Sequence, residues 1–158
     1  MPAEGSIVVA PADEAALKSV ATVLAQDLKD LLDWNYTIRT GKPGKNDIYL
    51  SLMKPDKQLG EEGYVLTAGR YAGIEAPARQ GAFWGTRSLL QILYNEKGQL
   101  PKGVARDWPQ YPSRGFMLDV GRKFFTMDFL RQYVKILSFY KLNEFQIHLN
   151  DNGFVQFF

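Results

Sequence analysis

Apolar residues recur along this chain with two different periods. After the β-branched run SIVVA (Ser6 to Ala10), which reads as a short strand, Pro11 opens a predicted helix with Asp13 and Glu14 in its first turn, where carboxylates suit the helix dipole. Leu17, Val20, Ala21, Leu24, Leu28, Leu31 and Leu32 follow at spacings of three and four, one apolar helical face. YTIRT (36–40) reads as a second strand and Gly41 to Gly44 as a turn. DIYLSLM (47–53) then alternates, with Ile48, Leu50 and Leu52 on one side, as in a half-buried strand of an antiparallel sheet. GYVLTAGR (63–70) and GIEAPA (73–78) predict a hairpin. AFWGTRSLLQILYN (82–95) predicts a helix with Phe83, Leu90, Leu93 and Tyr94 on one stripe. Residues 6–98 thus predict an α+β unit, a small and mostly antiparallel sheet with two helices on one face.

The pattern then breaks. Residues 101–113 carry Pro101, Pro109 and Pro112 with little helix or strand signal, and read as a linker between a first domain, 1–100, and a second, 114–158. In the second, RGFMLDV (114–120) predicts a strand. Thr126 is a candidate N-cap, with Asp128 just inside the helix, and Phe129, Leu130, Tyr133, Val134, Leu137 and Tyr140 carry the helical period. EFQIHL (144–149) predicts another strand. Strand, helix, strand is a βαβ unit with parallel strands. One such unit cannot cover both faces of its strands, and a (β/α)8 barrel needs about 250 residues. The second domain therefore reads as the start of an incomplete barrel, and its last strand as an open edge prone to self-association.

Composition narrows the function classes. Hydrophobic residues are 46% and charged residues 23% of the 158, the mix of a globular protein. Nineteen Lys and Arg against 17 Asp and Glu give a net charge of +2 with no basic run, so neither nucleic acid nor an anionic membrane is an expected partner. Without cysteine there are no disulfides, thiolate metal sites or thiol nucleophiles. No phosphate-binding glycine loop or metal-ligand cluster is present, so no cofactor or metal is expected. No stretch is apolar for long enough to span a membrane. The first five residues lack the features of a signal peptide, and the expectation is that a leader was removed.

Two stretches carry a resemblance. LGEEGYVLTAGRYAGIEAPARQGAFWGTRSLLQIL (59–93) is similar to the closing part of the small domain that precedes the barrel in bacterial β-N-acetylhexosaminidases of glycoside hydrolase family 20. RGFMLDVGRKFFTMDFLRQYVKILSFYKLNEFQIHLNDNGF (114–154) resembles the first barrel strand, helix and second strand of the same family. That pattern runs Arg-Gly, Leu-Asp, Arg-His-Phe, Lys-Leu-Asn, His-x-His-Leu-x-Asp-Asp. The resemblance implies that Arg122 grips hydroxyls of a terminal N-acetylhexosamine, a task suited to the fixed donors of a guanidinium. It implies that His148, the one histidine of the chain, supports the site's hydrogen-bond network, and that Asp151 lies near the catalytic pair or the sugar. Asp119, of the Leu-Asp run, reads as a structural brace at the strand end. Lys123 stands where the family often has His, and Asn152 where it usually has a second Asp.

The chemistry so implied is substrate-assisted hydrolysis with retention. A Glu protonates the leaving oxygen, the substrate's 2-acetamido oxygen attacks the anomeric carbon, and an Asp orients the acetamide. That Asp–Glu pair belongs to a later barrel strand and is expected after Phe158, the last residue given. No residue of this chain is therefore assigned to it, and the chain alone is expected to be inactive. The implied partner is a glycan ending in N-acetylhexosamine, and the implied setting is the periplasm or exterior of a bacterium. Two other readings stay open: a free-standing noncatalytic module that binds sugar or protein, and a fragment of a related glycosidase, O-GlcNAcase-like or α-glucuronidase-like.

Overall fold

A computed structural model describes residues 1–150 and divides them into two compact units, 1–109 and a second beginning at Gln110. In the first, β1 (Glu4–Val9) is followed by one 3-10 turn (Pro11–Asp13) and helix α1 (Glu14–Leu32). Then come β2 (Asn35–Thr40), β3 (Ile48–Leu52), β4 (Tyr64–Ala68), β5 (Ala72–Ala76), α2 (Arg79–Asn95) and β6 (Gly103–Asp107). The six strands form one sheet in the order β2-β1-β3-β5-β4-β6.

This sheet is mixed, which corrects the expectation of a mostly antiparallel one. β1 pairs in parallel with β2 and β3, and β3 in parallel with β5. Only β4 runs antiparallel, against β5 and β6. The alternation in β3 records that one face is covered by helices; it carries no information on strand direction. Direction is set by the connection: parallel neighbours such as β1 and β2 cannot be joined by a tight turn, and α1 is the crossover between them.

A second correction concerns 101–113. Residues 103–107 of that stretch are not linker but β6, the sheet's outer strand, in register with β4 from Ala68↔Gly103 to Tyr64↔Asp107. Its residues are largely exposed, Val104 by 74%, so pairing rather than an apolar pattern makes it a strand.

Ile7, Val9, Ile48, Leu50, Leu66 and Ile74 form the helix-covered face of the sheet, and Leu17, Val20, Ala21, Leu24 and Leu28 of α1 close over it. Leu31, expected on that face, is exposed. In α2 the buried set is Gly81, Ala82, Trp84, Gly85, Thr86, Arg87, Leu89, Leu90 and Leu93, while Tyr94 points out. Two of these glycines set how closely α2 approaches the sheet. A Cβ on Gly81 would lie 2.1 Å from the Gly63 carbonyl oxygen, and one on Gly85 would lie 2.5 Å from Ile74 Cγ2.

Polar ties fix the remaining freedom. Arg87 Nη1 donates to Asp27 Oδ2 at 2.6 Å, joining α2 to α1 in an ion pair whose side chains are 3% and 16% exposed. The same guanidinium donates to Thr86 Oγ1 and lies 4.5 Å over the Phe83 ring. Burial pulls its pKa down and Asp27 opposes the shift. The Tyr64 hydroxyl donates to Asp107 Oδ2 at 2.5 Å and lies 2.5 Å from Ser88 Oγ, tying the end of β6 to α2. Burial, then Asp107, pushes that phenol up. Tyr36 donates to the Pro2 carbonyl at 2.9 Å, and burial, with help from Asp47, pushes it up to about 12.

The second unit is a two-stranded parallel ribbon, β7 (Gly115–Asp119) and β8 (Glu144–His148), joined by α3 (Met127–Phe139). Thr126 caps α3, its Oγ1 accepting the Phe129 N–H at 3.2 Å. Tyr133 of α3 packs on Phe116 of β7 and Phe145 of β8, with ring centroids at 5.4 and 5.8 Å. Leu130 and Leu137 are buried, whereas Val134 and Tyr140, also expected on the apolar face, are exposed.

Two outcomes test this packing. Helix propensity favours Ala over Gly by about 1 kcal/mol. Gly81→Ala should nonetheless destabilise the first unit by about 1–3 kcal/mol in urea denaturation, because the new methyl meets backbone. Gly103→Ala, with nothing within 4 Å, should be near neutral. For Tyr36 the folded pKa lies above the unfolded value near 10, so its contribution is whole below pH ~10 and declines as pH rises toward 12. Tyr36→Phe should therefore flatten the fall of stability over that window, by at most about 1.4 kcal/mol per pH unit, measured as unfolding midpoints against pH.

Candidate active-site rim at the strand ends

The ends of the β7–β8 ribbon differ in chemistry. At its N-terminal end, Arg114 and Asn143 lock the strands together. Asn143 Oδ1 accepts the Arg114 N–H at 2.8 Å, and Asn143 Nδ2 donates to the Pro112 carbonyl at 2.7 Å. Arg114 donates through Nε to the Lys141 carbonyl and through Nη1 to that of Tyr111, both at 2.8 Å. These residues of the Arg-Gly and Lys-Leu-Asn runs hold structure.

The C-terminal end gathers the candidate site. In register, Asp119 lies beside His148. Side chains alternate along a strand. Since Phe116 and Phe145 face α3, the opposite face carries Met117, Asp119, Gln146 and His148. The Val120 and Gly121 N–H groups both donate to the His148 carbonyl, at 2.9 and 3.2 Å. Asp119 Oδ1 accepts from the N–H groups of Gly121 at 3.0 Å and Arg122 at 3.2 Å, and Oδ2 lies 3.2 Å from Arg122 Nε. A Cβ on Gly121 would lie 3.1 Å from the Leu149 carbonyl oxygen, so the loop runs tight against the end of β8. Beyond it, the Lys123 ammonium stands 5.9 Å over Phe125, which stacks on Phe129 at 4.8 Å, which stacks on Tyr133 at 5.6 Å.

Asp119 and His148 are thus brought side by side at the strand ends, on the face turned away from the helix, and Arg122 follows on the loop with its Nε 3.2 Å from Asp119. Asp151 and Asn152 lie outside the described residues. So does Phe158, after which the acid–base pair is expected, and the described residues therefore leave that expectation where the sequence put it. The grip of Asp119 on the loop agrees with its reading as a brace at the strand end, where a carboxylate needs partners. Gln146 is a further departure, in the place of the first His of His-x-His-Leu. No group of three or more His, Cys, Asp or Glu among the described residues could hold a metal.

A parallel βαβ unit with polar groups at the C-terminal strand ends, on the face away from its helix, is the geometry from which barrel enzymes build their sites. Comparison with known proteins agrees. Residues 3–108 match the family model "Glycosyl hydrolase family 20, domain 2", and residues 111–155 match "Glycosyl hydrolase family 20, catalytic domain". The chain belongs to glycosyl hydrolase family 20. It is 34% identical over 147 residues to a β-hexosaminidase of Porphyromonas gingivalis, covering 86% of this chain and 19% of that protein. To a β-N-acetylhexosaminidase of Cellulomonas fimi it is 30% identical over 135 residues, covering 82% and 27%. Among solved structures, the family 20 β-N-acetylhexosaminidase of Streptomyces coelicolor superposes with a TM-score of 0.76 at 30% identity, over 93% of this chain and 31% of that one. The chain therefore spans 19% to 31% of the length of these relatives.

Proposed function

We propose that the protein carrying this chain is a β-N-acetylhexosaminidase that removes terminal N-acetylhexosamine from glycans by a substrate-assisted, retaining mechanism. The observation that carries this reading is the convergence of Asp119, Arg122 and His148 at one parallel strand end, in a chain that belongs to family 20. Arg122 is the sugar-binding residue: a guanidinium on the loop after the first strand offers paired donors to vicinal hydroxyls. His148 and Asp151 support the reacting groups from the second strand. The acid and the acetamide-orienting carboxylate are assigned to no residue of this chain, and we expect the 158 residues by themselves not to turn over. We place the enzyme in the periplasm or outside a bacterial cell, where polymeric glycans are met. The bacterial source of relatives such as those of Porphyromonas gingivalis and Vibrio furnissii supports a bacterial host. No helix among the described residues is long and apolar enough to cross a membrane.

The whole protein should hydrolyse an aryl N-acetyl-β-glucosaminide or galactosaminide. Arg122→Ala should lower kcat/KM about 100-fold, roughly 2.7 kcal/mol. A stable mimic of the cyclised acetamide intermediate should inhibit tightly. Turnover by the pure 158-residue chain, or an unimpaired Arg122→Ala enzyme, would refute the corresponding claim.

The β7–β8 ribbon has no further paired strand among the described residues and exposes Phe116, Met117 and Ile147. The isolated chain should therefore associate at micromolar concentration. A clean monomer mass in light scattering would count against that.

A further inference from the structure

We propose that Asp119 is a positioning residue for Arg122; the inference rests on the reading of Arg122 as a sugar-binding group. One carboxylate addresses both halves of that arginine. Oδ1 takes the Arg122 backbone N–H at 3.2 Å together with the Gly121 N–H at 3.0 Å, and so sets the turn of the chain. Oδ2 faces Nε at 3.2 Å, and so sets the direction of the guanidinium. The carboxylate is itself anchored, because it ends β7 in register with His148 and the following two N–H groups are held by the His148 carbonyl.

Stability does not account for the side-chain half of this arrangement. The arginine side chain is 74% exposed, and an exposed ion pair three residues apart contributes little to folding. Ordering a long arginine side chain costs entropy, and a ligand that needs one rotamer bears the cost of selecting it. Holding the guanidinium at Nε fixes its plane before the sugar arrives. Because the hold is electrostatic and directional, it acts on binding more than on the chemical step.

Asp119→Asn separates the two halves of the role. The amide oxygen can still accept the backbone N–H groups, whereas the charge facing Nε is gone. In the whole enzyme, with an aryl N-acetyl-β-glucosaminide as probe, Asp119→Asn should raise KM about two- to fivefold, with kcat and melting temperature little changed. In an Arg122→Ala background it should have no further effect. An unchanged KM in Asp119→Asn, or an equal loss in both backgrounds, overturns the proposal and leaves the assignment of Arg122 standing. An Arg122→Ala enzyme with unaltered kcat/KM overturns that assignment, and the positioning role with it. If a variant fails to fold, the Nε–H signal of selectively labelled wild-type Arg122 decides: an ordered guanidinium supports the hold, and a freely rotating one overturns it.

Discussion

Parallel strands cannot be joined by a tight turn, and both units of this chain are arranged around that constraint. Each contains a pair of parallel neighbours in which one strand must be carried back past its own length by a helix: β1 to β2 through α1, and β7 to β8 through α3. The crossover covers one face. In the first unit that face belongs to a sheet completed by β6 and by β4, which runs antiparallel to its neighbours. In the second the opposite face carries Asp119 and His148 at the strand ends, which come side by side only because the crossover brings the chain back in register.

Polar burial gives each unit its geometry, by different means. In the first, Arg87 and Asp27 form a shielded ion pair between helices that are already packed, and Gly81 and Gly85 let α2 settle against β4 and β5. A buried pair of this kind is weak evidence of net stabilisation, since desolvation offsets much of the attraction; it does oppose sliding of α1 past α2. In the second unit, hydrogen bonds at Arg114 and Asn143 fasten one end of the ribbon, and those at Asp119 fasten the other. Between them the stack Phe125–Phe129–Tyr133 carries the loop onto the helix and the strands.

Much of this is legible in the residues. The 3.6-residue period of α1 names five of its buried positions, and Thr126 announces the start of α3. The motif runs locate Arg122 and His148 at neighbouring strand ends. What the pattern does not carry is equally physical. β6 has no apolar alternation, because it is an outer strand with exposed side chains, and only its pairing with β4 makes it one. Alternation in β3 reports a covered face and is silent on direction. The buried face of α2 includes Thr86 and Arg87, so a hydrophobic stripe drawn through Phe83 and Tyr94 is rotated from the true one. The hold of Asp119 on Arg122 depends on the turn between them, which spacing alone does not specify.

The place of β6 has a consequence for the order in which the molecule is made. It is the last strand of the six-stranded sheet and also the last element before the second unit. Domains emerging during synthesis fold as units, N-terminal first. Once residue 107 has left the ribosome the first sheet has all its strands, so every strand pairing within it can form. The ribbon has no such independence: the partner of Asp119 is translated 29 residues later, at His148. The nascent chain thus closes one finished body before it begins to assemble the rim of a site.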